Sequence, residues 1–327
     1  MKLVNLSINL FCLRLIAGVA VFFTLAIGQS FAVWVWTPET GKFINPKYAV
    51  KDSPKEQFEY AEGYFNEKNY KKAIPEFQKL INAYQYSEYA ARAQYYLGRC
   101  HEEIGNLYQA FLNYQKVIDS YPYSRQNDEI IEREYRIADA FFGGQKAKVL
   151  GVSVLPSDDK AIEIFKKIIT NAPFGEYADT SLYKIGLIYQ KSGRHDDANE
   201  AFQRIVDEYP ASKLIEDARY QIAFSTYKSS LGADYDQSST DKAIDRFEGI
   251  AGRQASENLK EQADETLKRL MNKKATKDYE VAQFYQKRRK YKAAQIYYEK
   301  IIREYPDTTY AVKAELGLME VRGKAGR

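Results

Sequence analysis

Two cysteines and two histidines in 327 residues leave little for redox or metal chemistry. Cys12 lies in an apolar leader and Cys100 stands alone in the rest of the chain, so no intrachain disulfide can form there. Stability must come from packing. With His101 and His195 as the only imidazoles, a Cys/His metal site is not expected, and no cofactor motif is present. Cys100 and His101 are neighbours on a helix and point in different directions, so they form no thiol–imidazole pair. A phosphate loop, a nucleophile elbow and a zinc helix are all missing, and the many carboxylates follow helix surfaces. The chain reads as non-catalytic. A net charge of +4, from 48 basic and 44 acidic residues, lacks the basic excess of a nucleic-acid binder.

Long apolar runs are almost absent as well. The one exception, Leu15 to Gly28, follows Lys2 and Arg14 and precedes Ser30-Phe31-Ala32. A basic flank, a fourteen-residue apolar core and small residues before the break describe a signal peptide over 1–32. Extended through Trp36, the same run is long enough for an uncleaved membrane anchor. Either way the body of the protein is exported. Residues 33–52, with VWVWTPETGKF, read as an aromatic linker.

What is abundant is tyrosine, 28 residues against 17 Phe and 2 Trp, and a repeat with a period near 37. YKKAIPEFQKLINAYQYS, LYQAFLNYQKVIDSYPYS, DDKAIEIFKKIITNAPFG, HDDANEAFQRIVDEYPAS, DKAIDRFEGIAGRQAS and YKAAQIYYEKIIREYPDT share one pattern: Ala, an aromatic four residues on, an aliphatic three further. The anchors are Ala73/Phe77/Leu80, Ala110/Tyr114/Val117, Ala161/Phe165/Ile168, Ala198/Phe202/Ile205, Ala243/Phe247/Ile250 and Ala294/Tyr298/Ile301. These offsets define one helical stripe. A preceding helix carries an aliphatic, Gly or Ala, then a ring, as in Leu97-Gly98-His101 and Ile185-Gly186-Tyr189. Pro122, Pro173, Pro210 and Pro306 close repeats, and Asp158-Asp159 and Asp196-Asp197 read as caps and first-turn acids.

The spacing predicts an all-α fold, an α-solenoid of about six tetratricopeptide-like helix–turn–helix repeats with a C-terminal capping helix near Tyr310–Val321. The repeat domain covers 53–321, and 322–327 form a tail. Longer spacings reflect insertions: QKAKVLGVSVLP in repeat three, SSLGADYDQSS in repeat five and a lead-in before repeat six. Asp234 and Asp236 invite a calcium-loop reading, but the Gly and Glu of such a loop are missing and a polar interhelical loop is expected.

Two candidate surfaces follow. Three residues before each Gly/Ala lies a ring, including Phe58, Tyr95 and Tyr135, and seven residues further come Phe65, Glu102 and Phe142. These rings either pack between first helices or form a partly exposed ladder for an extended peptide, with Glu62, Arg99 and Asp139 setting register. The run YQKRRKYK concentrates Lys287, Arg288 and Arg289 with Lys290 and Lys292 at a helix end. It is either a solvated turn complementing a helix C-terminus or a docking patch for an acidic surface or anionic lipid.

FEYAEGYFNEKNYKKAIPEFQKLI, LPSDDKAIEIFKKII and YEVAQFYQKRRKYKAAQIYYEKIIREYPDTTYAVKAELGLMEV together resemble the outer-membrane β-barrel assembly lipoproteins of BamD (YfiO) type, over roughly Ser53 to Val321. The resemblance implies a non-catalytic periplasmic scaffold associated with the outer membrane. Its C-terminal repeats would dock on the periplasmic domains of the β-barrel insertase, and its N-terminal ones would engage unfolded outer-membrane proteins. It makes Lys287, Arg288 and Arg289 the docking candidates, and Phe58, Phe65, Tyr95, Arg99, Tyr135 and Phe142 the peptide-groove candidates. The family's lipid-bearing Cys after the signal is replaced by Val-Trp-Val-Trp, so VWVWTPETGKF is an interfacial aromatic segment in peripheral contact with the membrane or a partner-binding arm. The alternative is a periplasmic tetratricopeptide scaffold for cell division or envelope trafficking, similar to the Tol–Pal coordinator. A lytic transglycosylase would need a catalytic domain with a general-acid Glu.

Overall fold

The computed structural model describes residues 35–37, 41–45, 49–144, 147–149, 152–155, 157–231, 237–251 and 255–325. The predicted signal segment, Trp34, and the acidic pair Asp234 and Asp236 lie outside them. The chain is all-α in class, a tetratricopeptide-type solenoid, and divides into two compact units at Ala93/Gln94.

In the first unit, β1 (Val35–Thr37) and β2 (Lys42–Ile44) form a small antiparallel hairpin within the predicted linker, with Trp36 opposite Phe43. Helix α1 (Pro54–Asn66) starts as its sequence dictates: Pro54 takes the first helical position and the Ser53 hydroxyl accepts from Glu56 N–H at 3.2 Å. Helix α2 (Tyr70–Ala83) follows a tight turn, and α3 (Glu88–Glu103) begins in this unit and continues into the next.

The second unit continues with α4 (Leu107–Ser120), α5 (Asn127–Phe142), α6 (Ser157–Asn171), α7 (Ala178–Lys191), α8 (His195–Glu208), α9 (Ile215–Leu231), α10 (Gln237–Ala251), α11 (Glu257–Lys287), α12 (Tyr291–Glu304) and α13 (Thr309–Ala325). Two features depart from a plain repeat. The third-repeat insertion is a β-hairpin, β3 (Ala147–Val149) against β4 (Val152–Leu155), with β3 lying next to α4. The lead-in before repeat six is helical, so that α11 runs unbroken for 31 residues.

All eighteen anchor side chains predicted from the repeat are buried. Each buried Phe, Leu or Ile contributes roughly 1.5–3 kcal/mol relative to exposure, and this repeated stripe holds the helices together. The acidic pairs sit differently from expectation. Asp158-Asp159 and Asp196-Asp197 lie inside the first turns of α6 and α8 rather than capping them, and the cap of α8 is Arg194, whose side chain makes no capping bond. They act on the helix dipole, and Asp158 and Asp197 also pair with Lys191 (3.0 Å) and Arg194 (2.8 Å).

Two local devices set the hairpin geometry. Gly98 of α3 lies under the ring of Tyr114 in α4, and a Cβ there would fall 2.5 Å from Tyr114 Cε1. Gly186 of α7 meets Phe202 of α8 in the same way, and Gly317 of α13 meets Tyr298 of α12, each at 2.5 Å from a ring carbon. The missing side chain is what lets the ring close over the helix. The turn between first and second helix passes through left-handed backbone, at Gly105 (φ 77°) and Gly193 (φ 74°), but also at Lys68 and Arg289 (φ 58° each).

Candidate docking surfaces

The rings predicted to line a groove divide by depth. Phe58 is buried, packed on Phe77 and Tyr89 with ring centroids 5.8 and 5.6 Å away, and the Arg92 guanidinium covers it at 4.2 Å. Arg92 also reaches Glu62 at 3.8 Å. Tyr95 is buried too, and its hydroxyl donates to Glu129 Oε1 at 2.6 Å while accepting from Arg99 Nη1 at 3.2 Å. Both rings are parts of the core, which removes them from an open groove. Phe65, Arg99, Tyr135 and Phe142 are half-buried.

Around Tyr95 the sequence assembles a polar cluster between α3, α4 and α5. Tyr114 donates to Glu102 Oε2 at 2.5 Å, and Arg133 bridges Glu102 at 3.1 Å and Glu129 at 2.7 Å. Burial raises the Tyr114 phenol, and the adjacent Glu102 charge and hydrogen bond raise it further. For Glu129, burial works to raise the carboxyl, but the Tyr95 and Arg133 hydrogen bonds and the arginine charges outweigh it and hold the group low. A charge-paired cluster of this kind fixes helix register.

Tyr135 and Phe142 form a different surface. Tyr135 stacks on Tyr177 at 4.6 Å, and the Lys184 ammonium lies 4.9 Å from the Tyr135 ring centroid and 5.4 Å from that of Phe142. The same ammonium pairs with Asp139. Ring faces, one cation and one carboxylate in a half-exposed patch can accept both apolar and polar parts of an extended peptide. In the first unit Phe65 packs edge-on to Tyr70 at 5.4 Å.

Lys287, Arg288 and Arg289 are exposed at the end of α11, and Arg288 is its C-cap. Their backbone N–H groups close the helix: Arg288 N donates to Phe284 O and Arg289 N to Gln286 O. Among the described residues no carboxylate pairs with Lys287, Arg288, Arg289, Lys290 or Lys292. Arg288 lies 4.4 Å over the half-exposed Phe284 ring, so the patch is cationic and aromatic together.

Sequence reasoning missed three features. One is a buried polar position immediately before the ring in four repeats, Gln57, Gln94, Glu134 and Asp278. Gln57 and Gln94 each bond a second-helix carbonyl and side chain nineteen residues on, at Glu76 and Asn113. Glu134 accepts both carboxylate bonds from Gln115 (2.8 and 2.9 Å), and burial pushes its carboxyl up to about 8. The signal available was a polar residue at one fixed offset in an apolar stripe. The second feature follows from it. Repeat four has Leu182 and Ala201 at those two places, and there an open cleft of about 440 Å³ forms, floored by Ile169, Leu182 and Ala201 and rimmed by Lys166, Arg194 and Arg204. The third is a set of rings at one turn position, Tyr86, Tyr123 and Phe174, almost fully exposed.

A model of the YfiO family, described as outer membrane lipoprotein, matches residues 156–324, more than half of the chain. The chain belongs to this family. A tetratricopeptide repeat model matches residues 92–124, which cover most of α3 and all of α4. No curated protein matches. Among solved structures, the chain is similar to the C-terminal part of a tetratricopeptide protein from Cytophaga hutchinsonii, 16% identical over 82% of this chain and 88% of that one, with a TM-score of 0.35. It is also similar to a tetratricopeptide protein from Parabacteroides merdae (14%, 83% and 100%, TM-score 0.34) and to MamA (19%, 62% and 96%, TM-score 0.32). Members of the YfiO family and tetratricopeptide repeats are non-catalytic, and the chain is a protein-interaction scaffold of an outer-membrane lipoprotein family. Among the described residues no helix is long and apolar enough to cross a membrane.

Proposed function

We propose that this protein is a non-catalytic periplasmic scaffold of outer-membrane β-barrel assembly. It docks on the periplasmic domains of the barrel insertase through the cationic turn Lys287, Arg288 and Arg289, and it engages unfolded outer-membrane protein segments on the Tyr135–Phe142 surface. The observation that carries the reading is the family match over residues 156–324, which contains the cationic turn. Five cations that have no carboxylate partner among the described residues, beside an exposed ring, suit an acidic protein face. The half-buried rings around Lys184 suit a chain with alternating apolar and polar side chains. The hairpin supports peripheral membrane contact: Trp36 and Phe43 pair at 5.1 Å and are 51% and 62% exposed, a disposition that suits the membrane–water interface.

The test is photo-crosslinking in the cell from positions 142 and 288, with mass spectrometry of the trapped proteins. The expected result is β-barrel proteins at 142 and an insertase at 288. Trapping of division or Tol–Pal components at both positions, with no barrel protein, overturns the proposal.

A further inference from the structure

Helix α13 carries apolar residues on two opposite faces. Its inner face buries Ala311, Ala314, Leu318 and Val321, yet the opposite face exposes Val312, Leu316 and Met319 at 62%, 62% and 70%. Those three residues are spaced four and three apart, and Thr309 and Gly323 extend the spacing at either end. Thr309, Leu316 and Gly323 take the a positions of a heptad, and Val312 and Met319 take the d positions. At Gly323 an added Cβ would meet nothing within 4 Å.

The flanks carry the decisive pattern. The e positions are Lys313 and Glu320, and the g positions are Glu315 and Arg322. In an antiparallel pair of helices e faces e and g faces g. Two copies of α13 then place Lys313 against Glu320 and Glu315 against Arg322, and twofold symmetry makes each pair twice. The register that does this stacks Leu316 on Met319 and Val312 on Gly323 of the second copy. A parallel pair would set Glu315 against Glu320, like against like. We infer that the apolar stripe of α13 is a homodimer surface and that two copies of this chain join through it, antiparallel, with Leu316 and Met319 at the centre.

Among the described residues the flanking charges make exposed or half-exposed contacts. Glu320 accepts from Gln286 at 3.0 Å, Arg322 pairs with Glu299 at 2.8 Å, and Lys313 lies over Tyr310 at 4.6 Å. Exposed pairs of this kind hold weakly and exchange readily. One helix pair buries about 1,000 Å² in total, the low end of specific interfaces, which makes the dimer reversible. This inference does not depend on the barrel-assembly reading, because the stripe and the cationic turn are separate surfaces.

The test is covalent trapping of the full chain in the cell. Leu316→Cys/Met319→Cys brings thiols together across the central layer, and a disulfide-linked dimer is expected. Adding Lys313→Glu sets like charges face to face and is expected to lower the dimer yield at least tenfold. Lys313→Glu/Glu320→Lys restores complementarity and is expected to restore the yield. All four positions are exposed, and thermal melts of each variant verify the fold. No dimer from the cysteine pair, a yield indifferent to the charge changes, or a different protein as the main cross-linked product each overturns the inference.

Discussion

Gly186→Ala adds one methyl group where the structure leaves no room for it. The new Cβ would sit 2.5, 2.6 and 2.9 Å from three ring carbons of Phe202. Ordinary contact begins near 3.5 Å, so α7 and α8 must part by close to an ångström or the ring must leave its rotamer. Overpacking of this size costs typically about 1–3 kcal/mol. Opposed to it is the intrinsic gain of Ala over Gly in a helix, about 1 kcal/mol. With all three contacts below 3 Å the overpacking lies in the upper half of its range, about 2–3 kcal/mol. The expected net is therefore a destabilisation of about 1–2 kcal/mol, and at about 2–4 °C per kcal/mol for a domain near this size, a drop of roughly 2–8 °C in Tm. Gly249→Ala in α10 is the control, because nothing lies within 4 Å of its added Cβ. There only the propensity gain acts, and a rise of roughly 2–4 °C is expected. Thermal melts followed by far-UV circular dichroism give both values. An unchanged or raised Tm for Gly186→Ala would show that the ring does not close over the glycine, and the packing argument would fail.

Two further outcomes follow from single side chains. Because burial raises the Glu134 carboxyl to about 8 in the folded chain, the native state keeps its proton after the unfolded state has lost it. Its stability contribution is therefore full below the ordinary carboxylate range, near pH 4, and declines as pH rises to about 8, at no more than about 1.4 kcal/mol per unit. Urea unfolding against pH should show that decline, and Glu134→Gln should flatten it and be the more stable protein at pH 8; parallel curves would refute the assignment. Arg289 holds a left-handed turn conformation that Gly occupies at 105 and 193, so Arg289→Gly should raise stability by up to about 1 kcal/mol. A loss of stability would mean that its side chain holds the turn.

The repeat was legible because a tetratricopeptide stripe requires the same residue sizes at the same offsets, and all eighteen predicted anchors are buried. The lead-in before repeat six was not. It matches no repeat template and so stands out in the sequence as an insertion, yet ENLKEQADETLKRLMNKKATKD contains no Gly or Pro and consists largely of good helix formers. The β3–β4 insertion has strand-favouring Val residues in a segment too short for periodicity to decide. For the groove, composition located the rings but could not sort them. Phe58 and Tyr95 share their position with the half-buried Tyr135, and what separates them is the neighbours that cover each ring. The cationic turn was visible as a run, and its lack of partner carboxylates among the described residues became visible only in three dimensions.

Helix α11 has a consequence for the C-terminal surfaces. Its first half packs with α9 and α10 through Ala263 and Leu270, and its second half packs with α12 and α13 through Ala275 and Ala282; Met271 touches both clusters. One continuous rod of about 46 Å therefore carries two separate cores, with no loop between them to absorb an error. Each residue of a helix advances the azimuth by about 100°. A single insertion or deletion beside Met271 would leave the helix unbroken, with Leu270 in one core and Ala275 in the other, and would take Met271 out of one of the two clusters, while swinging the cationic turn and the α13 stripe by that angle around the rod. The length of α11 thus works as an angular index, and evolution can re-aim this end of the protein in fixed steps without redesigning either surface.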